Sequence, residues 1–226
     1  MCGIAGAVGV RPGDDRIDRA VAAIRHRGPD AEAVWREADV CLIHTRLSII
    51  DLSPAGAQPM RDQATGVTLV YNGEIYNHRA LREAHLTDVP FVGASDSEVL
   101  LKLYLRFGLD AVEMLQGMFA FAIWDRASRR LHLARDHLGV KPLYYAKLAH
   151  GFLFASELKT LTLCADVSRE LNPVAVAEHA GFIWSPGNAN GAMVRSLQRN
   201  AVTLPAPSRP IMVVSARRSA APSIRR

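Results

Sequence analysis

The sequence has little with which to cross-link itself. Its 226 residues include three cysteines, Cys2, Cys41 and Cys164, an odd number at no repeated spacing. That argues against a disulfide framework and fits a reducing compartment. No C-x-x-C pair occurs, and the eight histidines form no H-E-x-x-H or similar ligand spacing, so no metal site is expected. No apolar run approaches the roughly 18–20 residues of a membrane span. The first ten residues are Gly/Ala-rich, with charge beginning at Arg11, unlike a signal peptide. The expectation is a cytoplasmic protein with no membrane partner. Glycine-rich phosphate cradles are missing as well: Gly187-Asn-Ala-Asn-Gly191 lacks the Lys-Ser/Thr pair and the apolar helix that would follow it.

Acidic residues are missing from one region only. From Gly187 to Arg226 there are seven arginines, no lysine, no Asp or Glu, and no Phe, Tyr or Trp. The first 186 residues carry the other 20 basic side chains against all 22 acidic ones, a net charge of −2. The overall charge of +5 therefore belongs to the tail, and a nucleic-acid partner is not expected. This break is the natural boundary between a domain over 2–186 and a basic Arg/Ala/Pro/Ser tail over 187–226, read as disordered or as an out-of-frame translation.

What is present reads as a layered domain. Cys2 to Val10 is a small-residue strand with glycines at 3, 6 and 9. Asp14 and Asp15 start a helix with Ile17, Val21 and Ile24 on one face, stopped by Gly28-Pro29. Ala33–Glu37 and Val40–His44 read as strands. Val67–Tyr71 is a β-branched strand running into Asn72-Gly73-Glu74, by pattern alone a hairpin turn. Tyr76 starts a short helix. Ser95-Asp96-Ser97-Glu98 has capping-box spacing, and Asp96 in a first helical turn suits the helix dipole. Gly117–Asp125 is apolar on both faces, as in a strand covered on both sides. Short strands follow around 131–134, 142–146 and 151–155, with helices over 156–163 and 173–180. Many strands and few long helices suggest two facing sheets flanked by helices, over about residues 2–165.

One residue stands out chemically. If Met1 is removed, Cys2 carries a thiol and a free α-amine on one carbon. An α-amine titrates near ~8 and a thiol near ~8.5, so the amine can serve as base for its own side chain.

Nine blocks occur in order: MCGIAG, RHRGPD (25–30), HTRLSIIDLS (44–53), GAQPM (56–60), NGEIYNH (72–78), SDSEVLL (95–101), GMFAFAIWD (117–125), ARDHLGVKPLYY (134–145) and FASELKTL (154–161). Together, over about residues 1–186, they resemble the glutaminase half of glutamine-hydrolysing asparagine synthetase. That half is a class II glutamine amidotransferase domain of the N-terminal-nucleophile hydrolase type. The blocks do not look like the glucosamine-phosphate or phosphoribosyl-amine branches. The resemblance implies an α+β fold, a four-layer α/β/β/α sandwich of two mainly antiparallel sheets. It implies Cys2 as the nucleophile that opens the side-chain amide of glutamine. Asn72 and Gly73 are implied as the oxyanion hole, and Arg46 as the partner of the glutamine α-carboxylate. Glu74 and Asp96 are implied as partners of the α-ammonium, and the backbone of Leu47, Ser48, Ile49 and Ile50 as pocket lining.

Cys41, Cys164 and Trp124 are expected in the core, and His26 as a loop-ordering residue. No cofactor is implied for glutamine hydrolysis. ATP and Mg belong to a synthetase domain whose Ser-Gly-Gly-x-Asp-Ser-type loop does not occur in this chain. The reading is a glutaminase chain, with a synthetase domain supplied elsewhere as a partner. The alternative is a non-catalytic truncated product or a binding subunit for a separate synthetase.

Overall fold

In the computed structural model, residues 1–169, 194–196 and 202–205 are described. The helix expected over 173–180 and most of the tail over 187–226 lie outside these residues.

Two antiparallel sheets face one another. The first contains β1 (Gly3–Val8), β2 (Ala31–Glu37), β3 (Val40–Arg46), β8 (Tyr144–Leu148), β9 (Gly151–Ala155) and the edge strand β10 (Val194–Ser196), in the order β10-β8-β9-β1-β3-β2. The second contains β4 (Met60–Arg61), β5 (Thr68–Ile75), β6 (Gly117–Asp125), β7 (Arg130–Arg135) and β11 (Val202–Pro205), in the order β11-β7-β6-β5-β4. Helices α1 (Asp14–Ile24) and α4 (Leu158–Leu161) cover the outside of the first sheet. Helices α2 (His78–His85) and α3 (Asp96–Phe107) cover the outside of the second.

Strand alternation assigns side chains to three cores. Ile4 and Val8 of β1, with Val40 and Leu42 of β3, meet Val70, Ala120, Ala122 and Trp124 between the sheets. Ala5, Ala7, Cys41 and Ile43 point the other way, onto Ile17, Val21 and Ile24 of α1. Leu69, Tyr71, Ile75, Phe119 and Phe121 take Leu81 of α2 and Val99, Leu100 and Leu103 of α3. Burying each such aliphatic side chain stabilises the fold by about 1.5–3 kcal/mol. These are the four layers that the motif blocks implied.

Two elements differ from the sequence pattern. Asn72-Gly73-Glu74 is not a turn, because β5 runs on through Ile75 and pairs with β6 along its whole length. Gly73 serves close approach rather than reversal: it lies opposite Phe119, where a side chain would meet β6 backbone. The capping box at α3 closes on one side only. Ser95 Oγ accepts from the Glu98 amide at 3.2 Å, while the Glu98 carboxylate turns away to accept from Val92 N (2.9 Å) and Gly93 N (2.8 Å).

One buried contact joins the sheets. His44 is 1% exposed, lies opposite Ile4 on β3, and its Nε2 stands 3.2 Å from the Tyr71 carbonyl of β5. A carbonyl only accepts, so Nε2 carries the proton. Burial pushes the pKa of His44 down to about 4, and that of His132 likewise.

Both rings are therefore neutral in the fold, while the unfolded chain takes up protons near pH 6.5. Their contribution is fully present above about pH 6.5 and falls as pH drops towards 4. We expect the Tm to fall between about pH 6.5 and 5. His44→Gln, which can still donate to the Tyr71 carbonyl but does not titrate, should roughly halve the two histidines' share of that fall. An unchanged slope in thermal melts would contradict a neutral His44.

Candidate functional site

The same alternation that builds the inter-sheet core brings four polar side chains to one end of it. Cys2 precedes β1 with the parity of Ile4 and Val8, so it belongs to the inter-sheet face. Arg46 ends β3 with the parity of Leu42 and His44. Asn72 and Glu74 follow Val70 on the same face of β5. Cys2, Arg46, Asn72 and Glu74 thus converge on one end of the sandwich. The first sheet contributes β1 and β3, and the second β5.

Cys2 is held from several sides. Its Sγ accepts from the Leu47 amide at 3.4 Å and lies 3.6 Å from the Leu47 carbonyl. Arg27 Nε donates to the Cys2 carbonyl at 3.1 Å, and its Nη1 donates to Glu157 at 3.1 Å. Ser156 Oγ accepts from the Ile4 amide at 3.0 Å. Burial pushes the Cys2 thiol up in pKa. The Leu47 amide, the N-terminal ammonium and Arg46 pull it back. The other thiols are enclosed: Cys41 is 3% and Cys164 8% exposed, and burial raises Cys41 to about 11.

Asn72 is 1% exposed, and its Nδ2 has no hydrogen-bond partner among the described residues. An unmet amide donor in a polar, buried position is costly, about 1–3 kcal/mol. It marks a place where an acceptor belongs. The backbone around it is rigidly set. Gln58 Oε1 accepts from the Tyr71 amide at 2.6 Å, and His44 donates to the Tyr71 carbonyl. Tyr71 Oη donates to Asp96 Oδ2 at 2.6 Å, and the Ile75 amide donates to the same oxygen at 3.0 Å. Asp96 is 4% exposed in the first turn of α3. Burial, and then the Asp96 charge, push Tyr71 well above the usual phenol range.

Arg46 Nη2 donates to the Ser53 carbonyl at 3.0 Å and also to the Asp51 carbonyl. Ser48 N donates to Asp30 Oδ2 at 2.7 Å, and Ala94 N to Asp51 Oδ2 at 3.0 Å. The 47–53 and 91–94 loops are therefore tied together. Ile49 and Ile50 are exposed at 68% and 37%, and it is Leu47 whose backbone touches Cys2. Glu74 is exposed at the end of the inter-sheet face. Among the described residues no three His, Cys, Asp or Glu side chains gather to hold a metal. No helix among them is long and apolar enough to cross a membrane.

Several functional side chains were not singled out by sequence reasoning. Arg27, Gln58, Tyr71, His44, Asp30 and Glu157 hold the site residues in place. All but Tyr71 lie inside the quoted blocks, and Tyr71 directly precedes one. The signal was there as block length, beyond the residues given roles. His26 does order a loop: its Nε2 lies 2.7 Å from Glu157.

A four-layer sandwich of two antiparallel sheets with a thiol at its second residue is what the comparisons with known proteins also describe. A family model described as a glutamine amidotransferase domain matches residues 1–204. The chain belongs to the glutamine amidotransferase domain family. It is 39% identical over 189 residues to asparagine synthetase [glutamine-hydrolyzing] 3 of Bacillus subtilis, covering 80% of this chain and 31% of that protein. It is 41% identical over 192 residues to asparagine synthetase B of Escherichia coli, covering 82% and 33%. It is also 40% identical over 146 residues to amidase chyE of Penicillium rubens, covering 65% and 22%. The chain thus spans a third or less of the length of these relatives. Among solved structures, the glutamine phosphoribosylpyrophosphate amidotransferase of B. subtilis superposes with a TM-score of 0.68 at 18% identity, over 90% of this chain and 47% of that one. That likeness concerns the fold.

Gly73 is closely opposed by β6 backbone. A Cβ there would stand 2.4 Å from the Met118 carbonyl oxygen and 2.7 Å from Phe119 Cα. Both are backbone atoms and cannot swing aside. Gly73→Ala should lower stability by about 1–3 kcal/mol, read as a lower urea midpoint at unchanged slope. An unchanged midpoint would contradict the strand spacing described here.

Proposed function

We propose that the chain hydrolyses the side-chain amide of glutamine to glutamate and ammonia, as the glutaminase half of an asparagine-forming enzyme. The observation that carries this reading is the buried, unpartnered Asn72 Nδ2, on the same inter-sheet face as Cys2. Donors fixed where an oxyanion will form are worth about 3–4 kcal/mol each.

With Met1 removed, the α-amine of Cys2 takes the thiol proton. The thiolate attacks the amide carbon, and the oxyanion is met by Asn72 Nδ2 and the Gly73 N–H. The C–N bond breaks, the ammonium of Cys2 returns its proton to the leaving nitrogen, and ammonia departs. A γ-glutamyl thioester on Cys2 remains. The α-amine then takes a proton from water, whose oxygen attacks the thioester. Collapse breaks the C–S bond, releasing glutamate and the free thiol. Glutamine and water thus balance glutamate and ammonia, with no cofactor in the sum.

Arg46 offers the planar fork that suits an α-carboxylate. The carboxylates of Asp96 and Glu74 suit the α-ammonium, and the backbone of Leu47, Ser48, Ile49 and Ile50 lines the pocket. Three free thiols suit a reducing compartment, the cytoplasm.

The ammonia acceptor would be met by a synthetase domain, as the names of the relatives suggest. The tied loops 47–53 and 91–94 expose Ile49, Leu52 and Val92 at 68%, 75% and 87%. That apolar rim suits contact with such a partner.

A glutamate-release assay on Met-processed protein tests the reading. Cys2→Ala should abolish release, and Asn72→Ala should lower kcat about 10²–10³-fold with the fold intact. Release that survives Cys2→Ala would refute the mechanism. No release from folded, processed protein would favour a binding subunit.

A further inference from the structure

Lys141 is buried beside the N-terminus and forms no ion pair among the described residues. It is 5% exposed. Its backbone is clamped from both ends: the amide donates to Asp136 Oδ2 at 3.0 Å, and Arg135 Nε donates to the carbonyl. Asp136 is itself fixed, accepting from Phe119 N at 3.2 Å and Val140 N at 2.8 Å. Phe119 lies opposite Gly73 in the β5–β6 ladder. Lys141 is thereby referenced to the same strand pair that carries Asn72.

The Nζ of Lys141 lies 3.0 Å from Met1 Sδ. A thioether is a weak acceptor. Among the described residues no carboxylate lies within 4.0 Å of this ammonium in an ion pair. The contact is with the residue that leaves when Cys2 is exposed. Removal of Met1 strips Lys141 of its recorded partner and creates a titrating amine next to where that partner sat.

The other charges around the N-terminus are already engaged. Arg27 is met by Glu157, which also takes His26 and Lys159. The Asp96 carboxylate holds Tyr71 and Ile75, and that of Asp136 holds loop amides. Arg46 is bound to loop carbonyls, and Glu74 is exposed to solvent. Among the described residues, Arg46 and Lys141 are left as the two cations near Cys2 that form no ion pair, and of these Lys141 is the buried one. Burial and then Arg27 push the lysine pKa down, while Cys2, Glu74 and Asp136 push it up.

We propose that the Lys141 ammonium is the fixed positive charge that keeps the Cys2 α-amine unprotonated, and so able to accept the thiol proton, at neutral pH. This rests on the glutaminase reading. A like charge nearby disfavours the ammonium form of the amine. The same repulsion makes that ammonium, once formed, a better proton donor to the leaving nitrogen. Lys141 acts through the amine and is a positioning charge, not a group that touches substrate.

The test is a pH profile of kcat/KM for glutamine hydrolysis together with an NMR titration of 15N-cysteine-labelled, Met-processed protein. Lys141→Met removes the charge and keeps the apolar stem. It should move the acid limb and the α-amine midpoint up by about one pH unit. Activity should then fall roughly tenfold at pH 6 and recover towards wild type at pH 9. Lys141→Arg, which restores the charge, should return both midpoints towards wild type. An α-amine midpoint unchanged in Lys141→Met, or activity lowered by one factor at every pH, would overturn the proposal. If the wild-type chain hydrolyses no glutamine, the glutaminase reading fails, and the NMR midpoint alone still decides the role of the charge.

Discussion

The site depends on how the two sheets are held against each other. Cys2 belongs to the first sheet and Asn72 to the second, so no element by itself brings the thiol to the amide donor. The distance is set by the inter-sheet core of Ile4, Leu42, Val70 and Ala122. One hydrogen bond crosses within it, from His44 Nε2 to the Tyr71 carbonyl. His44 neighbours Ile4 across β1 and β3, and Tyr71 neighbours Asn72 along β5. The bond therefore joins the two strands within two residues of each functional group. It can do so because the ring is neutral. A charged imidazole at that depth would cost more than one hydrogen bond returns.

Around that joint, polar side chains are spent on backbone groups rather than on one another. Gln58 and Asp96 fix β5, Asp136 fixes the loop before β8, and Glu98 fixes 92–93. Arg27 fixes Cys2 itself. Each such bond satisfies a backbone amide or carbonyl with a side chain and so stiffens its segment. The exceptions are informative. Among the buried side-chain atoms without partners in the described residues are Asn72 Nδ2 and Arg27 Nη2; Asn72 shares the inter-sheet face with Cys2, and Arg27 is bonded to the Cys2 carbonyl. Preorganised, unmet donors of this kind need no rearrangement when negative charge develops.

Much of this was legible in the sequence, for physical reasons that differ by element. The helix at Asp14–Ile24 and the doubly covered strand at Gly117–Asp125 follow from periodicity, since their apolar residues are few in choice and strong in spacing. The capping serine at 95 was legible because a cap is a local contact. Asn-Gly at 72–73 misled as a turn because the pressure on Gly73 comes from β6, some 45 residues away in sequence. Pattern rules see local backbone freedom, not the approach of a distant strand. For the same reason the bond from the Tyr71 amide to Gln58 and that from Arg27 to the Cys2 carbonyl escaped reading, although both side chains sit in recognisable blocks. The convergence of Cys2, Arg46 and Asn72 became a geometric statement only when strand parity placed all three between the sheets.

The central claim is that Cys2, with its own amine as base, is the group that reacts. A glutamine analogue bearing an electrophilic carbon in place of the amide tests it most directly. Met-processed protein would be treated with the analogue, digested and mapped by mass spectrometry beside a form that retains Met1. The account predicts a single adduct on Cys2, protected by glutamine and much slower to form when Met1 is retained. Labelling of Cys41 or Cys164 instead, or equal labelling of Cys2 with and without Met1, would contradict it.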